Sequence, residues 1–375
     1  MYSAHLISHT PLEKACRVTE QSWPANVQPV VSVICTTYQH VNFIRQALDG
    51  FLMQETTFPI EILIHDDASS DGTAEIVEEY AERYPRLIKA TLQKENQYSK
   101  GNRPGNILSS MSCGEYLAIC EGDDYWISSS KLQKQVQILQ DNQDISMVFH
   151  NAWVMHEDSR KDYFLNRGLD KERFTLTDII EREWFIATAS ILHRRYEPLP
   201  TEITNYSMVG DMLMHVASCM NGDAYFLNEV GSVYRRHVGG VSDEMWKGGE
   251  YHHEKFRPNN IWMYWMLAQN VLPAACTNAV EQRIRAIADC IIEYGASKKI
   301  ASASRDQLRQ YIYSLIMASK PPHVSDDNFT PGSRLRDILD SQVDSYWRMR
   351  RLRKIFINIK GIKNRIISIL CDKIH

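Results

Sequence analysis

Between residues 29 and 124 the sequence alternates short apolar runs with segments of helical periodicity, and this alternation constrains the fold more than any other feature. The apolar runs are rich in β-branched residues, as fully buried parallel strands require. They are PVVSVICTTY (29–38), IEILIHDD (60–67), LIKATLQ (87–93) and EYLAICEGDD (115–124). Helical patterns follow at 41–54, 73–84 and 107–112. We therefore predict an α/β fold with a doubly wound, mostly parallel sheet flanked by helices.

The remaining segments differ in character from this alternating region. From 144 to about 241 strand-like and helix-like patterns are mixed, and 224–237 is typical of a hairpin-bearing segment. Beyond residue 259 the pattern is mostly helical. The predicted organisation is an N-terminal extension (1–28), one domain (29–245), a helical C-terminal region (246–345) and a basic amphipathic tail (346–375).

Polar residues stand at the carboxyl ends of the predicted parallel strands, where ligands bind in sheets of this kind. Asp66 and Asp67 end the second strand, and Asp123 and Asp124 follow the fourth. Adjacent carboxylates repel each other, so a pair at a strand end needs a reason. The pair at 123–124 could cap the next helix, act as an acid/base pair or hold Mg²⁺ or Mn²⁺. Serines at 128–130 are better placed to cap that helix, which favours ligand or metal binding.

Composition and absent motifs exclude several classes of protein. The net charge of −4 gives no overall attraction to nucleic acid. No strand is followed by G-x-G-x-x-G, and no G-x-x-x-x-G-K-[ST] occurs, which disfavours a dinucleotide fold and a P-loop. The eight cysteines contain no C-x-x-C pair, a usage that fits a reducing cytoplasm. We expect no signal peptide, because the N-terminus lacks a cationic start followed by an apolar stretch. We expect no membrane-spanning segment, because no run of about 18 apolar residues occurs.

Three blocks of sequence together resemble family 2 inverting glycosyltransferases of the GT-A fold. The blocks are VSVICTTYQHVNFIRQALDGFLMQ, EILIHDDASSDGTAEIV and GEYLAICEGDDYW with KLQKQV, and the likeness covers residues 29–245. The resemblance implies a Rossmann-like sheet, a nucleotide-sugar donor that is usually UDP-linked, and Mn²⁺ or Mg²⁺. It also assigns donor-side roles by position. They are the nucleobase pocket for Thr36 and Tyr38, the uracil for Asp67, the ribose and sugar for Asp123, and the metal for Asp124.

Other donor-side positions depart from the family pattern. Glu121 stands where the family more often has Asp, so we leave it outside the predicted site. Arg103 is a candidate for the arginine of the donor loop, the alternative being a solvated loop charge. His237, in VYRRHVGGVS, resembles a residue that can join the metal or pyrophosphate, although a structural histidine remains open.

Asp211, in GDMLMHVA, resembles the family's catalytic base. The alternative is a first-turn carboxylate favoured by the helix dipole. If it is the base, Asp211 takes a proton from an acceptor hydroxyl, which attacks the anomeric carbon so that an α-linked donor gives a β-linked product. The expected acceptor is a glycan or lipid-linked glycan of a bacterial surface polysaccharide. A nucleotidyltransferase and a non-catalytic nucleotide-sugar-binding module remain as alternatives.

The C-terminal tail combines an apolar stripe at helical spacing with a dense set of cations. The stripe is Leu352, Ile355, Phe356, Ile359, Ile362, Ile366 and Leu370, and the cations include Arg350, Arg351, Arg353, Lys354, Lys360, Lys363 and Arg365. It could dock on its own domain. We favour binding to the inner face of the plasma membrane, because an anionic leaflet attracts each cation by about 1 kcal/mol. Contact between copies of the chain would use the helical C-terminal region.

Overall fold

The computed structural model describes residues 8–158, 160–182, 184–208, 210–240, 251–297, 304–322, 324, 327 and 333–350. The chain forms two compact units. The first contains residues 1–205 and 209–243, and the second contains 206–208 and 244–375.

The first unit is built on a mixed ten-stranded sheet with a small two-stranded sheet beside it. The strands are β1 (Cys16–Arg17), β2 (Val31–Thr37), β3 (Glu55–Thr56), β4 (Ile60–Asp66), β5 (Ile88–Leu92), β6 (Tyr116–Ile119), β7 (Tyr125–Trp126), β8 (Ile145–His156), β9 (Tyr163–Phe164), β10 (Arg173–Phe174), β11 (Leu192–Arg194) and β12 (Asp223–Arg236). The large sheet has the order β10-β12-β8-β11-β6-β2-β4-β5, with β7 paired to β12 and β9 paired to β8.

Helices flank this sheet. They are α1 (Ile44–Leu52), α2 (Thr73–Arg83), α3 (Pro104–Met111), α4 (Lys131–Asp141), α5 (Leu176–Glu181), α6 (Thr201–Thr204) and α7 (Gly210–Cys219). β2 is parallel to both β4 and β6, and β4 is parallel to β5. All seven residues of β4 are buried, as expected for a central parallel strand covered on both faces. The predicted α/β class is confirmed, and the parallel half of the sheet matches the apolar runs of the sequence.

The second half of the sheet differs from the prediction at one element. The segment 224–237 is not a hairpin but one 14-residue strand, β12, which runs parallel to β8 with register shifts at three places. Gly231 lies within this strand, against the ring of His150. A Cβ on Gly231 would come within 2.6 Å of that ring. The glycine therefore permits close packing at an irregular strand pairing.

Part of the predicted extension is tied to the first unit. β1 pairs antiparallel with β3, and Val18 belongs to the hydrophobic core around β2, β4 and β6. The amide of Gln21 donates to the carbonyl oxygen of Thr56 over 2.7 Å. Residues 16–21 are therefore packed against the sheet domain.

The described part of the second unit is helical. Its helices are α8 (Arg257–Asn270), α9 (Thr277–Ser297), α10 (Arg305–Ala318) and α11 (334–350). Trp262 is buried, and its indole N–H donates to the carbonyl oxygen of Ile316 over 2.7 Å. Among the described residues no helix is both long and apolar enough to cross a membrane. The apolar stripe predicted for 352–370 lies outside the described residues.

Candidate functional site

The turns that follow β2 and β4 are hydrogen-bonded to each other. Gln39 and Ala68 adopt positive φ angles of 58° and 66°, which non-glycine residues seldom do. The backbone N–H of Gln39 donates to the hydroxyl of Ser69 over 2.9 Å. The N–H of Asp67 donates to the carbonyl oxygen of Thr37 over 3.0 Å. Strained backbone held by surrounding contacts occurs preferentially at functional sites, and here it lies at adjacent carboxyl ends of two parallel strands.

These turns carry the three residues predicted to face the nucleobase. Thr36 is half-buried at the end of β2, and the side chain of Tyr38 is 46% exposed. Asp67 is buried, and its two oxygens accept the backbone N–H groups of Gln97 and Tyr98 over 2.6 and 3.0 Å. Asp67 therefore holds the loop after β5 against the strand ends. Tyr98 thereby reaches this edge of the sheet with its side chain 60% exposed, a placement that the sequence did not indicate.

The segment 120–124 packs closely against the end of β2. The N–H of Gly122 donates to the carbonyl oxygen of Thr36 over 2.9 Å. A Cβ on Gly122 would lie 2.6 Å from the hydroxyl of Thr37 and 3.0 Å from Ile44 Cδ1. The hydroxyl of Thr37 in turn lies 3.2 Å from His40 Nδ1. Gly122 therefore sets how closely the two acidic residues after it approach the β2 turn.

We expect Gly122→Ala to lower the free energy of unfolding by about 1–3 kcal/mol, because the added methyl group overpacks a buried contact. Urea unfolding measures the change. Gly105→Ala is the matched control, since a Cβ there meets nothing within 4 Å and alanine favours the helix α3. Equal stability of Gly122→Ala and wild type would contradict this account of the packing.

Three side chains converge where β2, β6 and β12 end. Asp123 Oδ2 lies 3.2 Å from His237 Nε2 and 3.7 Å from His40 Nε2. One potential ligand atom from each residue lies within 4.8 Å of the others, and this is the group of metal-ligating side chains found among the described residues. Phe43 packs against the ring of His237 at 4.6 Å and limits its movement. The three residues form a candidate cation site with one carboxylate and two imidazoles.

The ionised state of Asp123 supports that reading, whereas the raised pKa of His237 means that a cation has to displace a proton from this ring. Burial acts to raise the pKa of Asp123, but the hydrogen bond from His237 and the charges of both imidazoles outweigh it, so the pKa lies below its usual value. The same hydrogen bond raises the pKa of His237, with burial opposing. Burial lowers the pKa of His40, although Asp123 acts in the opposite direction. An ionised carboxylate beside two imidazoles is a donor set that binds divalent cations.

Asp124 is not a member of this group. Its side chain is buried, and Oδ1 accepts the backbone N–H of Arg235 over 2.8 Å. Burial raises the pKa of Asp124 well above its usual value, and the neighbouring carboxylates Asp123 and Glu121 add to the effect. The resemblance placed Asp124 and His237 together on the metal, whereas the structure brings His237 to Asp123. Asp124 instead connects the strand-end segment to β12.

Arg235 fixes the segment from the side of β12. Its guanidinium donates to the carbonyl oxygen of Asp123 and to the side chain of Gln46 on α1. It also lies over the rings of Tyr125 and Phe43, at 4.4 and 5.1 Å from their centroids. Cation–π contacts of this kind strengthen when the charge is desolvated, and Arg235 is buried. Arg235 therefore holds both acidic residues: its guanidinium donates to the main-chain oxygen of Asp123, and its backbone N–H donates to the carboxylate of Asp124.

Asp211 and Arg103 belong to the same neighbourhood. Burial raises the pKa of Glu121 to about 8, and the charges of Asp123 and Asp211 contribute to the shift. Glu121, which was left outside the predicted site, therefore lies electrostatically between the cation group and Asp211. A Cβ on Gly210 would lie 3.1 Å from Arg103 Nη1, so the guanidinium reaches the first turn of α7. The structure thus brings Arg103 beside Asp211 rather than leaving it remote on its loop.

Sequence reasoning left three residues of this neighbourhood out of the predicted site. His40 comes two residues after Tyr38, and its place in a strand-end turn was a usable signal. Arg235 stood in a strand-like run, where contact with phosphate and a surface charge were both open. Trp184, which contacts Asp211 over 2.9 Å, carried no signal because its segment shows no periodicity.

A mixed α/β sheet with an acidic site at the carboxyl ends of its parallel strands defines a domain of the GT-A fold class. A solved structure agrees with this assignment. The chain resembles residues 1–349 of TarS from S. aureus, crystallised with UDP-GlcNAc, with a TM-score of 0.55 and 17% sequence identity. The likeness covers 85% of this chain and 91% of that one, and at this identity it establishes the fold.

Residues 32–208 match the model of glycosyl transferase family 2. The Mycobacterium tuberculosis protein Rv1520 is 39% identical over 214 residues, which are 56% of this chain and 60% of the relative. TuaG of Bacillus subtilis, named as a teichuronic acid biosynthesis glycosyltransferase, is 26% identical over 227 residues. That match covers 60% of this chain and 86% of TuaG. The chain thus spans 60% of the length of the mycobacterial relative that it matches.

Proposed function

We propose that the chain is an inverting glycosyltransferase that moves a sugar from a nucleoside-diphosphate donor to a hydroxyl group of a glycan or lipid-linked glycan. The observation that carries the proposal is the group of His40, Asp123 and His237 at the strand ends, together with the contacts that join Asp211 to β12. Asp211 accepts the indole N–H of Trp184, and Trp184 packs against Tyr234 of β12, the strand that ends directly before His237. A single displacement at an anomeric carbon requires a leaving-group site and a base in one neighbourhood.

The donor would lie along the ends of β2 and β4. Thr36, Tyr38 and the loop held by Asp67 offer a half-open pocket for a nucleobase, with Tyr38 and Tyr98 as exposed rings. A UDP-linked donor is the first choice, because the family resemblance implies one and TarS was crystallised with UDP-GlcNAc. Asp67 already accepts two backbone N–H groups, so a uracil would use a further lone pair of its oxygens. Arg103 would face the diphosphate from the loop before α3.

His40, Asp123 and His237 would hold a divalent cation. Imidazole ligands are unusual for Mg²⁺, which prefers oxygen, so this donor set favours Mn²⁺. A cation bound there would supply positive charge that stabilises the departing diphosphate. The Nδ1 atom of His237 lies 3.2 Å from the carbonyl oxygen of Val238, a contact that orients the ring with Nε2 toward Asp123 and the cation site.

Asp211 would act as the base. Its carboxylate accepts the proton of the acceptor hydroxyl, whose oxygen forms a bond to the anomeric carbon on the face opposite the nucleotide. The bond from that carbon to the diphosphate oxygen breaks, and its electron pair leaves with the nucleoside diphosphate. One displacement inverts the configuration, so an α-linked donor gives a β-linked product.

Release of nucleoside diphosphate from a panel of nucleotide sugars with Mn²⁺ tests this proposal. We expect UDP release from at least one UDP-sugar, increased by added glycan acceptors and abolished by EDTA. A nucleotidyltransferase would instead release pyrophosphate from a nucleoside triphosphate and a sugar phosphate. A non-catalytic module would bind the nucleotide sugar without releasing UDP. Either result would replace the proposed function.

The nature of the acceptor bears on the role of the C-terminal tail. A lipid-linked acceptor would favour an enzyme on the inner membrane surface, and the cations between 350 and 365 match an anionic leaflet. We expect truncation after Tyr346 to lower co-sedimentation with vesicles containing phosphatidylglycerol. Donor hydrolysis should be unchanged, because Leu335, Ile338, Leu339 and Val343, the buried residues of α11, are retained.

A second variant tests whether the charges of the tail are responsible. It keeps the tail and replaces Lys360, Lys363 and Arg365 by glutamine, and it should bind the vesicles less than wild type. Equal vesicle binding by full-length and truncated protein would contradict the membrane role and favour a tail docked on its own domain.

A further inference from the structure

We infer that Trp184 is a positioning residue for Asp211, fixing the orientation of the carboxylate that receives the acceptor proton. The inference rests on the proposed function, since it assigns Asp211 the role of base. Trp184 lies between α5 and the 3-10 turn Thr188–Ser190, in a segment without periodicity. Its side chain is half-buried.

Both oxygens of Asp211 are engaged by donors of its own domain. The indole N–H of Trp184 donates to Oδ2 over 2.9 Å. The backbone N–H of Met212 donates to Oδ1 over 2.8 Å. Two donors on different oxygens prevent rotation of the carboxylate about its χ2 angle, while each oxygen keeps another lone pair. The base is therefore held at the start of α7 with one fixed direction in which it can accept a proton.

The indole is itself fixed by an aromatic neighbour on the sheet. Its ring centroid lies 5.2 Å from that of Tyr234, with the planes tilted by 49°. Tyr234 belongs to β12, two residues before Arg236 and three before His237. Aromatic pairs at this separation are attractive beyond their buried area. Trp184, which donates to Asp211, thus packs against β12, the strand that ends directly before His237 of the cation group.

The main chain beside Trp184 is anchored in the core. The ring of Phe185 packs against those of Phe149 and Phe174, at 5.7 and 5.4 Å. The side-chain amide of Asn166 donates to the carbonyl oxygen of Phe185 over 2.9 Å. Asn166 in turn exchanges two hydrogen bonds with Asn151 of β8, at 2.7 and 2.9 Å.

This buried amide pair explains how an irregular segment can hold a catalytic group. Asn151 and Asn166 are both buried, and buried polar groups with satisfied hydrogen bonds rigidify their surroundings. The connection runs from β8 through the two asparagines to Phe185 and then to Trp184. A fixed carboxylate favours the in-line approach of the acceptor oxygen, because small errors of orientation reduce the rate of displacement.

The test uses hydrolysis of the donor, in which water replaces the acceptor and Asp211 takes its proton. The probe is the UDP-sugar of the panel that releases UDP fastest, with Mn²⁺. Trp184→Phe keeps an aromatic ring and removes the N–H. We expect kcat to fall about 10-fold, as for loss of one hydrogen bond to a charged group. The dissociation constant of UDP with Mn²⁺ should stay within about 2-fold, because the donor contacts are intact.

A double-mutant comparison separates positioning from a structural role. In the Asp211→Asn background Trp184→Phe should cause no further loss of kcat, since the group that Trp184 positions is already disabled. Trp23→Phe is the matched control: its indole N–H donates to Gln21 over 2.8 Å in the N-terminal segment, and kcat should not change.

A variant of Trp184 in which sulfur replaces the indole N–H, introduced as the benzothienyl analogue, keeps the shape of the ring if Trp184→Phe fails to fold. A wild-type kcat in the folded variant would overturn the inference. An equal loss in the wild-type and Asp211→Asn backgrounds would also overturn it, since the effect would not pass through Asp211. Failure of the proposed function has a different signature, namely that wild type releases no UDP or that Asp211→Asn is fully active.

Discussion

Asp211→Asn is expected to lower turnover by about 10² to 10⁴-fold while the affinity for the donor is nearly kept. Asparagine has the shape of aspartate and can still accept hydrogen bonds from Trp184 and Met212, but its amide cannot take a proton at neutral pH. The loss should therefore appear in kcat rather than in the binding of UDP. Initial rates of UDP release from the UDP-sugar, together with calorimetry of UDP binding in Mn²⁺, measure the two quantities separately.

Asp170→Asn is the matched control for this substitution. Asp170 is an exposed carboxylate whose contact is Arg182 at 3.3 Å, so the same chemical change should leave kcat unaltered. A near wild-type rate of sugar transfer by Asp211→Asn would mean that the base lies elsewhere. In that case the first-turn position of Asp211 would be explained by the helix dipole alone.

Asp123→Asn is expected to weaken the cation-dependent binding of UDP by about 10²-fold or more, because loss of a direct ligand exceeds the effect usual for an outer-shell partner. The substitution removes the carboxylate that lies against both His237 and His40. The fold should remain intact, since the guanidinium of Arg235 contacts the main-chain oxygen of Asp123 and not its side chain. Calorimetry of UDP with and without EDTA measures the cation-dependent part.

Asp124→Asn distinguishes the two assignments of the metal ligand. The family resemblance placed the cation on Asp124, whereas the grouping of His40, Asp123 and His237 favours Asp123. Asparagine at 124 can still accept the N–H of Arg235 through its Oδ1, so the link to β12 is kept. We therefore expect Asp124→Asn to retain most of the cation-dependent binding. If it abolished that binding while Asp123→Asn did not, the assignment from the sequence would be right.

Several features of the molecule could be read from the sequence alone. The parallel half of the sheet was predictable because β-branched apolar runs are needed where strands are buried on both faces, as in β2 and β4. The position of the site followed from this, since parallel strands direct their carboxyl ends to one edge and the polar residues stood there. The match of residues 32–208 to the model of glycosyl transferase family 2 was also predictable from three ordered blocks.

The tertiary structure decided which of these residues meet. Asp123 and Asp124 are adjacent and chemically identical, and only the course of β12 directs one toward His237 and the other toward the N–H of Arg235. His40 and Trp184 joined the site through contacts with residues far away in the sequence, at Asp123 and Asp211. Periodicity reports burial along one element, whereas a site depends on distances between elements. Those distances were set by close packing at points such as Gly122 against Thr37.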